Sequence, residues 1–162
     1  MIRRVGQRFG LDTLVETGTY LGDTVATLRP RFRRVISIEL SAQLAAAASE
    51  RFTATPGVTI LEGDSAQLLP SVLADLNGPA LFWLDGHWSG GVTARGDVDS
   101  PVVAELEAVL SDRYQHVVLI DDARCFVGWD GYPTLTELRG LIGRLRPNAK
   151  VAVRDDIVSV VP

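Results

Sequence analysis

Leu14-Val15-Glu16-Thr17-Gly18-Thr19-Tyr20-Leu21-Gly22-Asp23-Thr24-Val25 begins as an apolar run, reaches an acid, turns on two glycines and then takes up helical spacing. That is a strand, a tight loop and a helix whose N-terminus faces whatever sits above the loop. Glycine lets the backbone turn sharply and approach a ligand closely. The free N–H groups of the first helical turn attract negative or electron-rich groups. The dinucleotide fingerprint G-x-G-x-x-G needs three glycines, and only Gly18 and Gly22 stand in this loop. Glu16 at the end of the strand would repel a pyrophosphate, whereas an acid there suits a ligand with a cationic amine. On this stretch alone, an ordinary strand-to-helix turn is the competing reading.

The same shape recurs along the chain. Arg34-Val35-Ile36-Ser37-Ile38-Glu39 is a β-branched strand ending in an acid, and Ser41 is placed to cap the helix after it. Val58 to Leu61 is a third strand, closed by Glu62-Gly63-Asp64, with Ser65 as the expected cap of the next helix. Ala80-Leu81-Phe82-Trp83-Leu84 is apolar throughout, as a central parallel strand buried on both faces is, and runs into Asp85. Ser100 and Pro101 form an N-cap and N1 pair after the glycine-rich loop 86–99. Val117 to Ile120 runs into Asp121-Asp122, and Thr134 with Glu137 makes a capping box that opens the last helix. Val151 to Val153 and Ile157 to Val161 flank Asp155-Asp156 as an antiparallel hairpin. Residues 1–12 are a short helix or an arm.

Strands alternating with helices specify a parallel α/β sheet with right-handed crossovers, whose ligands bind outside the carboxyl ends of the strands. Strands one to five all finish in or just before an acid: Glu16, Glu39, Asp64, Asp85, and Asp121 with Asp122. Together these describe an acidic cleft suited to a cation, an amine, sugar hydroxyls or a metal.

With 162 residues and 46% hydrophobic side chains, the expectation is a single domain with a sizeable core. The net charge of −4 argues against a polyanion partner, and the arginines at 3, 4, 8, 29, 31, 33 and 34 read as solvated surface. One cysteine, Cys125, excludes a disulfide framework and points to a reducing, cytoplasmic setting. No apolar run is long enough to span a membrane. Neither a nucleic acid nor a membrane is therefore expected as a partner.

These residues resemble a class I S-adenosylmethionine-dependent methyltransferase over nearly the whole chain. The resemblance implies a Rossmann-like three-layer sandwich around a mostly parallel seven-stranded sheet with a C-terminal antiparallel hairpin. Glu16-Thr17-Gly18-Thr19-Tyr20-Leu21-Gly22 is similar to the family's first motif, and Glu39 matches the acid that holds both ribose hydroxyls. Gly63-Asp64-Ser65 matches the segment that meets the adenine amine. The implied cofactor-binding set is Glu16, Gly18, Tyr20, Glu39, Asp64, Ser65 and Asp85, with Glu16 and the Gly18 backbone at the methionine end.

Phe82-Trp83-Leu84-Asp85-Gly86-His87, taken with Asp121-Asp122, resembles the divalent-metal O-methyltransferases of the catechol and macrocin types. That likeness implies Mg²⁺ on Asp85, Asp121 and Asp122, since carboxylate oxygens suit hard ions. It also implies methylation of a small-molecule or sugar hydroxyl, with Asp85 and His87 as the catalytic candidates. There are departures. Thr19-Tyr20-Leu21 replaces a more glycine-rich loop, and Asp122 stands where the catechol type carries asparagine. The N-terminal helices that cover the substrate in many relatives are nearly absent, so a second copy of the chain, in a homodimer, is expected to supply the cover over a small-molecule acceptor.

Several readings stay open at this level. Asp121 and Asp122 are adjacent strand residues and converge only if the strand has already bent. His87 is a general base, a substrate contact or a backbone-bonded loop histidine. Trp88, Trp129 and Tyr132 are core or pocket wall, His116 reads as surface, and Arg95 and Arg124 stand on the rim where an anionic substrate would bind. A non-catalytic cofactor-binding module acting with a partner, and a nicotinamide-binding Rossmann domain, are the rival functions.

Overall fold

The computed structural model describes residues 1–86, 100–129 and 131–162. Five apolar segments form parallel strands: β1 (Thr13–Thr17), β2 (Arg34–Glu39), β3 (Val58–Glu62), β4 (Leu81–Leu84) and β5 (Val117–Ile120). The helices are α1 (Ile2–Phe9), α2 (Asp23–Leu28), α3 (Ala42–Phe52), α4 (Ser65–Ala74), α5 (Val102–Ser111) and α6 (Leu135–Leu145). The chain closes with β6 (Lys150–Arg154) and β7 (Ile157–Val161). The sheet has seven strands in the order β3-β2-β1-β4-β5-β7-β6, and β7 is antiparallel to both of its neighbours.

Strand side chains alternate between the two faces of the sheet, and each face has its own core. Val15, Phe82, Leu84, Val118 and Ile120 pack with α4, α5 and α6. Leu14, Leu81, Trp83, Val117 and Leu119 pack with α1, α2 and α3. Helices therefore cover both faces, and only the strand tips are left open to a ligand. The order reverses between β1 and β4, which puts the Gly18 loop at the switch point.

The first residues form a helix rather than an arm. Ile2, Val5 and Phe9 lie on the second core, while Arg3, Arg4 and Arg8 are exposed. The C-terminal hairpin turns on Asp155 and Asp156, both left-handed with φ of 53° and 63°. Two successive left-handed residues suit the twist of a two-residue hairpin.

Three local expectations are corrected. Asp64, not Ser65, caps α4: its Oδ1 accepts the Ala66 N–H at 2.9 Å, and Ser65 becomes the first helical residue. Ser100 is not a cap either. Pro101 occupies the N-cap position, α5 begins at Val102, and Ser100 is buried. His116 is not on the surface. Its Nδ1 accepts the Ala80 N–H at 3.0 Å, and its Nε2 donates to Asp112 Oδ2 at 2.9 Å. It satisfies a backbone donor at the start of β4 from the loop before β5. Burial lowers its pKa, so the ring is neutral at pH 7 with its proton on Nε2.

The capping box of α6 is complete. Thr134 Oγ1 accepts the Glu137 N–H at 3.2 Å, and Glu137 Oε2 accepts the Thr134 N–H at 2.8 Å. It anchors a helix that places Leu138, Leu141 and Ile142 in the larger core. Thr134→Ala is expected to cost about 1 kcal/mol, read as a lower urea midpoint with an unchanged slope.

Candidate functional site

Parallel pairing carries the strand tips past the last paired residues in register. The Gly18 N–H donates to the Ile38 carbonyl at 2.9 Å, and Asp85 N–H to Thr17 O at 3.1 Å. Gly63 N–H donates to Glu39 O at 2.8 Å, and Asp121 N–H to Leu84 O at 3.0 Å. The acids that end β1, β2, β4 and β5 thus reach the same edge.

Gly18 has a φ of +86°, and a Cβ built on it would lie 2.3 Å from the Asp85 carbonyl oxygen. This glycine is needed because the first loop lies directly on the backbone leaving β4. Tyr20 follows in a left-handed conformation, and its N–H donates to Glu39 Oε2 at 2.8 Å. Ser41 N–H donates to Glu39 Oε1 at 3.0 Å. Glu39, 6% exposed, is therefore a fixed carboxylate between the first two loops. Apolar Tyr20, Leu21 and Leu40 stand exposed around it.

Glu16 lies beneath this loop, 1% exposed. Ser37 Oγ donates to its Oε2 at 2.5 Å, and Thr19 Oγ1 lies 2.6 Å from the same Ser37 hydroxyl. Burial pushes the Glu16 pKa up to about 8, with the charges of Asp85 and Glu39 adding to it. Without a cation nearby, this side chain is mostly neutral at pH 7.

Asp85 sits at the tip of β4 with a pKa raised to about 7, by burial first and then by Asp121 and Asp122. Asp122 has a φ of 55°, which is the bend that two adjacent strand-end acids need in order to act on one neighbour. Its N–H donates to Asp121 Oδ1 at 2.9 Å. Asp122 also pairs with Arg124 at 2.6 Å, and Arg124 reaches Asp156 as well. The guanidinium expected to read an anionic substrate is thus shared between two carboxylates. Among the described residues, no group of three or more histidine, cysteine, aspartate or glutamate side chains is placed to hold a metal ion.

A narrow cleft, open to solvent, lies between the tips of β4 and β5. Leu84, Gly86, Glu105, Ile120, Asp121 and Tyr132 are among its walls. Tyr132 lines the cleft on one side and on the other packs edge-on against the core residue Phe126, ring centroids 5.2 Å apart. Trp129 is 75% exposed and belongs to neither core nor wall. Cys125 has its thiol pKa raised by burial and by Asp122, the opposite of an activated nucleophile. His87, Trp88 and Arg95 lie outside the described residues.

The sequence reading passed over Glu105. It was legible as an acid on the stripe Val102, Leu106, Val109, where helical spacing calls for an apolar residue. Its pKa is pushed up to about 7, chiefly by burial.

No protein-family model and no curated protein sequence matches the chain. Solved structures do resemble it. The S-adenosylhomocysteine-bound methyltransferase PaMTH1 of Podospora anserina aligns with a TM-score of 0.66 at 18% identity, over 99% of this chain and 75% of that one. The O-methyltransferase TomG of Streptomyces achromogenes, solved with S-adenosylmethionine, aligns at 0.65 and 15% identity, over 99% and 77%. The N-methyltransferase NodS of Bradyrhizobium japonicum WM9 aligns at 0.61 and 12% identity, over 97% and 88%. At these identities the shared property is the fold: the chain has the Rossmann-like fold of class I methyltransferases.

The buried acids have a measurable consequence in the unliganded protein. Folded Glu16 holds its proton up to about pH 8, whereas unfolded it releases it near 4.5. The folded state binds more protons across that window, so stability falls as pH rises through it. Asp85 and Glu105 add to the fall up to about pH 7. Urea unfolding between pH 7 and 8 should therefore show a loss of stability that is smaller by about 1 kcal/mol in Glu16→Gln.

Proposed function

We propose that this chain is an S-adenosylmethionine-dependent methyltransferase that binds its cofactor across the tips of β1 to β4. The observation that carries the reading is Glu39. Backbone N–H groups from both flanking loops hold its carboxylate, and each oxygen keeps a lone pair for a ribose hydroxyl. Exposed Tyr20, Leu21 and Leu40 offer the apolar contacts that a flat purine needs. Asp64, part-exposed at the start of α4, would accept from the adenine amine in this reading. Glu16 suits the methionine end, where a cationic amine would draw its pKa back down and restore its charge. Bound cofactor and product in TomG and PaMTH1 support the same choice of ligand.

Bound S-adenosylmethionine supplies a methyl group already activated on a sulfonium. The chain has then to orient an acceptor and take its proton. Asp85, with a pKa of about 7 at the tip of β4, is suited to accept that proton near neutral pH. The acceptor we favour is a small-molecule or sugar hydroxyl, in line with the activity of TomG. NodS, an N-methyltransferase, shares the fold, so the fold itself does not choose the acceptor atom.

Mg²⁺ is part of the proposal, with the expected ligand set reduced. Asp122 is engaged by Arg124, so Asp85 and Asp121 carry the site. Two carboxylates with waters are an ordinary Mg²⁺ complement, and a divalent ion would draw the Asp85 pKa back down, so that with Mg²⁺ bound Asp85 would serve as a ligand and the acceptor's proton would pass to solvent. Such an ion would orient the acceptor oxygen and lower its proton affinity.

Calorimetric titration of S-adenosylhomocysteine in EDTA tests the cofactor reading. Saturable binding is expected, weakened at least about tenfold in Glu39→Gln; no heat under any metal condition would end the proposal. Mg²⁺ should then raise the melting temperature at pH 8 in the wild type and leave Asp85→Asn unchanged. If the two respond alike, the metal assignment fails and the cofactor assignment stands.

A further inference from the structure

Glu105 is 1% exposed on the core stripe of α5. Buried carboxyls normally have their oxygens satisfied. Here Glu105 Oε1 has no hydrogen-bond partner among the described residues. Neither has Thr17 Oγ1, fully buried at the tip of β1. The two atoms face the same place. A Cβ built on Gly86 would lie 3.1 Å from Thr17 Oγ1 and 3.3 Å from Glu105 Oε1. The cleft lined by Gly86 and Glu105 is large enough for a single water.

Three pieces of the ligand edge meet at this point. Thr17 ends β1 immediately before Gly18, and Gly86 follows Asp85, on whose carbonyl Gly18 rests. Ser65 opens α4 beside Asp64, and its hydroxyl, like that of Thr17, lies near enough to Glu105 to oppose the rise that burial imposes on the carboxyl's pKa. A hydrocarbon side chain at position 105 would satisfy the core stripe but join none of these. A carboxyl in its neutral form both donates and accepts, which is what two hydroxyls and a water require.

We propose that Glu105 is a positioning residue of the cofactor edge, and that a bound water joins its Oε1 to Thr17 Oγ1 beside Gly86. The tips of β1 and β4 and the start of α4 are then held as one unit under the cofactor. The inference rests on the cofactor reading above. It assigns Glu105 no contact with the cofactor and no part in the transfer itself. The absence of a side chain at Gly86 belongs to the same arrangement, because a methyl group there would crowd both oxygens.

Titration of S-adenosylhomocysteine into wild type, Glu105→Gln, Glu105→Leu and Thr17→Val, with thermal unfolding of each unliganded protein, tests the inference. Glu105→Leu should bind at least tenfold more weakly with an unliganded melting temperature equal to or above that of wild type. Glu105→Gln should stay within threefold of wild type, and Thr17→Val should fall between the two. A Glu105→Leu protein that binds as wild type does, or a Glu105→Gln protein as impaired as Glu105→Leu, overturns the proposal. If Glu105→Leu does not fold, undiminished binding by Thr17→Val does the same. Wild type that binds nothing removes the cofactor reading first, a result distinct from either of these. A high-resolution crystal structure should show a water within hydrogen-bond distance of both oxygens; an empty site refutes the bridge.

Discussion

The close approach of Gly18 to the backbone leaving β4 is the contact on which the rest of the ligand edge depends. With the Asp85 carbonyl 2.3 Å from where a Cβ would stand, the two tips are locked against each other. That contact lies at the one place where the strand order turns back on itself. From it the Tyr20 N–H is delivered to Glu39 on one side, and Asp85 is set at the tip of β4 on the other. A side chain at position 18 would have to part β1 from β4 before it met any ligand.

Around this contact the protein gathers more carboxyls than it can ionise. Glu16, Asp85 and Glu105 all have raised pKa values, and burial is the leading cause each time. Mutual repulsion is the lesser contribution. At pH 7 Glu16 is thus mostly neutral and Asp85 and Glu105 only partly ionised, and a cation arriving beside them would draw out their remaining protons. Binding of a positively charged ligand and proton release are coupled by that arrangement, and the empty edge is less stable for it.

Much of this was legible in the sequence, for a physical reason. A parallel strand buried on both faces has to be apolar along its length, so β4 and β5 announce themselves, and the acids just past each run are placed by the register. Ser41 as a cap and the Thr134 box were readable because caps are local. What could not be read depended on contacts distant in sequence. His116 is drawn inward by the Ala80 N–H, thirty-six positions away. The engagement of Asp122 by Arg124 depends on a left-handed residue that no spacing rule foretells. Ser100 and Pro101 have the right chemistry for a cap, yet the chain buries the serine and starts the helix after the proline. Glu105 was visible as an exception to a periodic stripe, but its meaning lies in Thr17 and Gly86, which only the fold brings near.

The hairpin that closes the sheet is the kind of exposed two-residue turn where grafted peptides, tags and circular permutation breaks are usually tolerated. In this molecule that tolerance is withdrawn. The Asp156 carbonyl accepts the Ala123 N–H at 2.8 Å, its Oδ1 accepts the Arg124 N–H at 2.8 Å, and its carboxylate shares the Arg124 guanidinium with Asp122. The turn is a strut for the tip of β5. Asn-Gly would satisfy its left-handed geometry better, but would leave the arginine to Asp122 alone. Sequence drift at this surface corner is therefore restrained by the opposite requirement from the one its geometry suggests, and the safer points for insertion lie at turns that make no bond to the acidic edge.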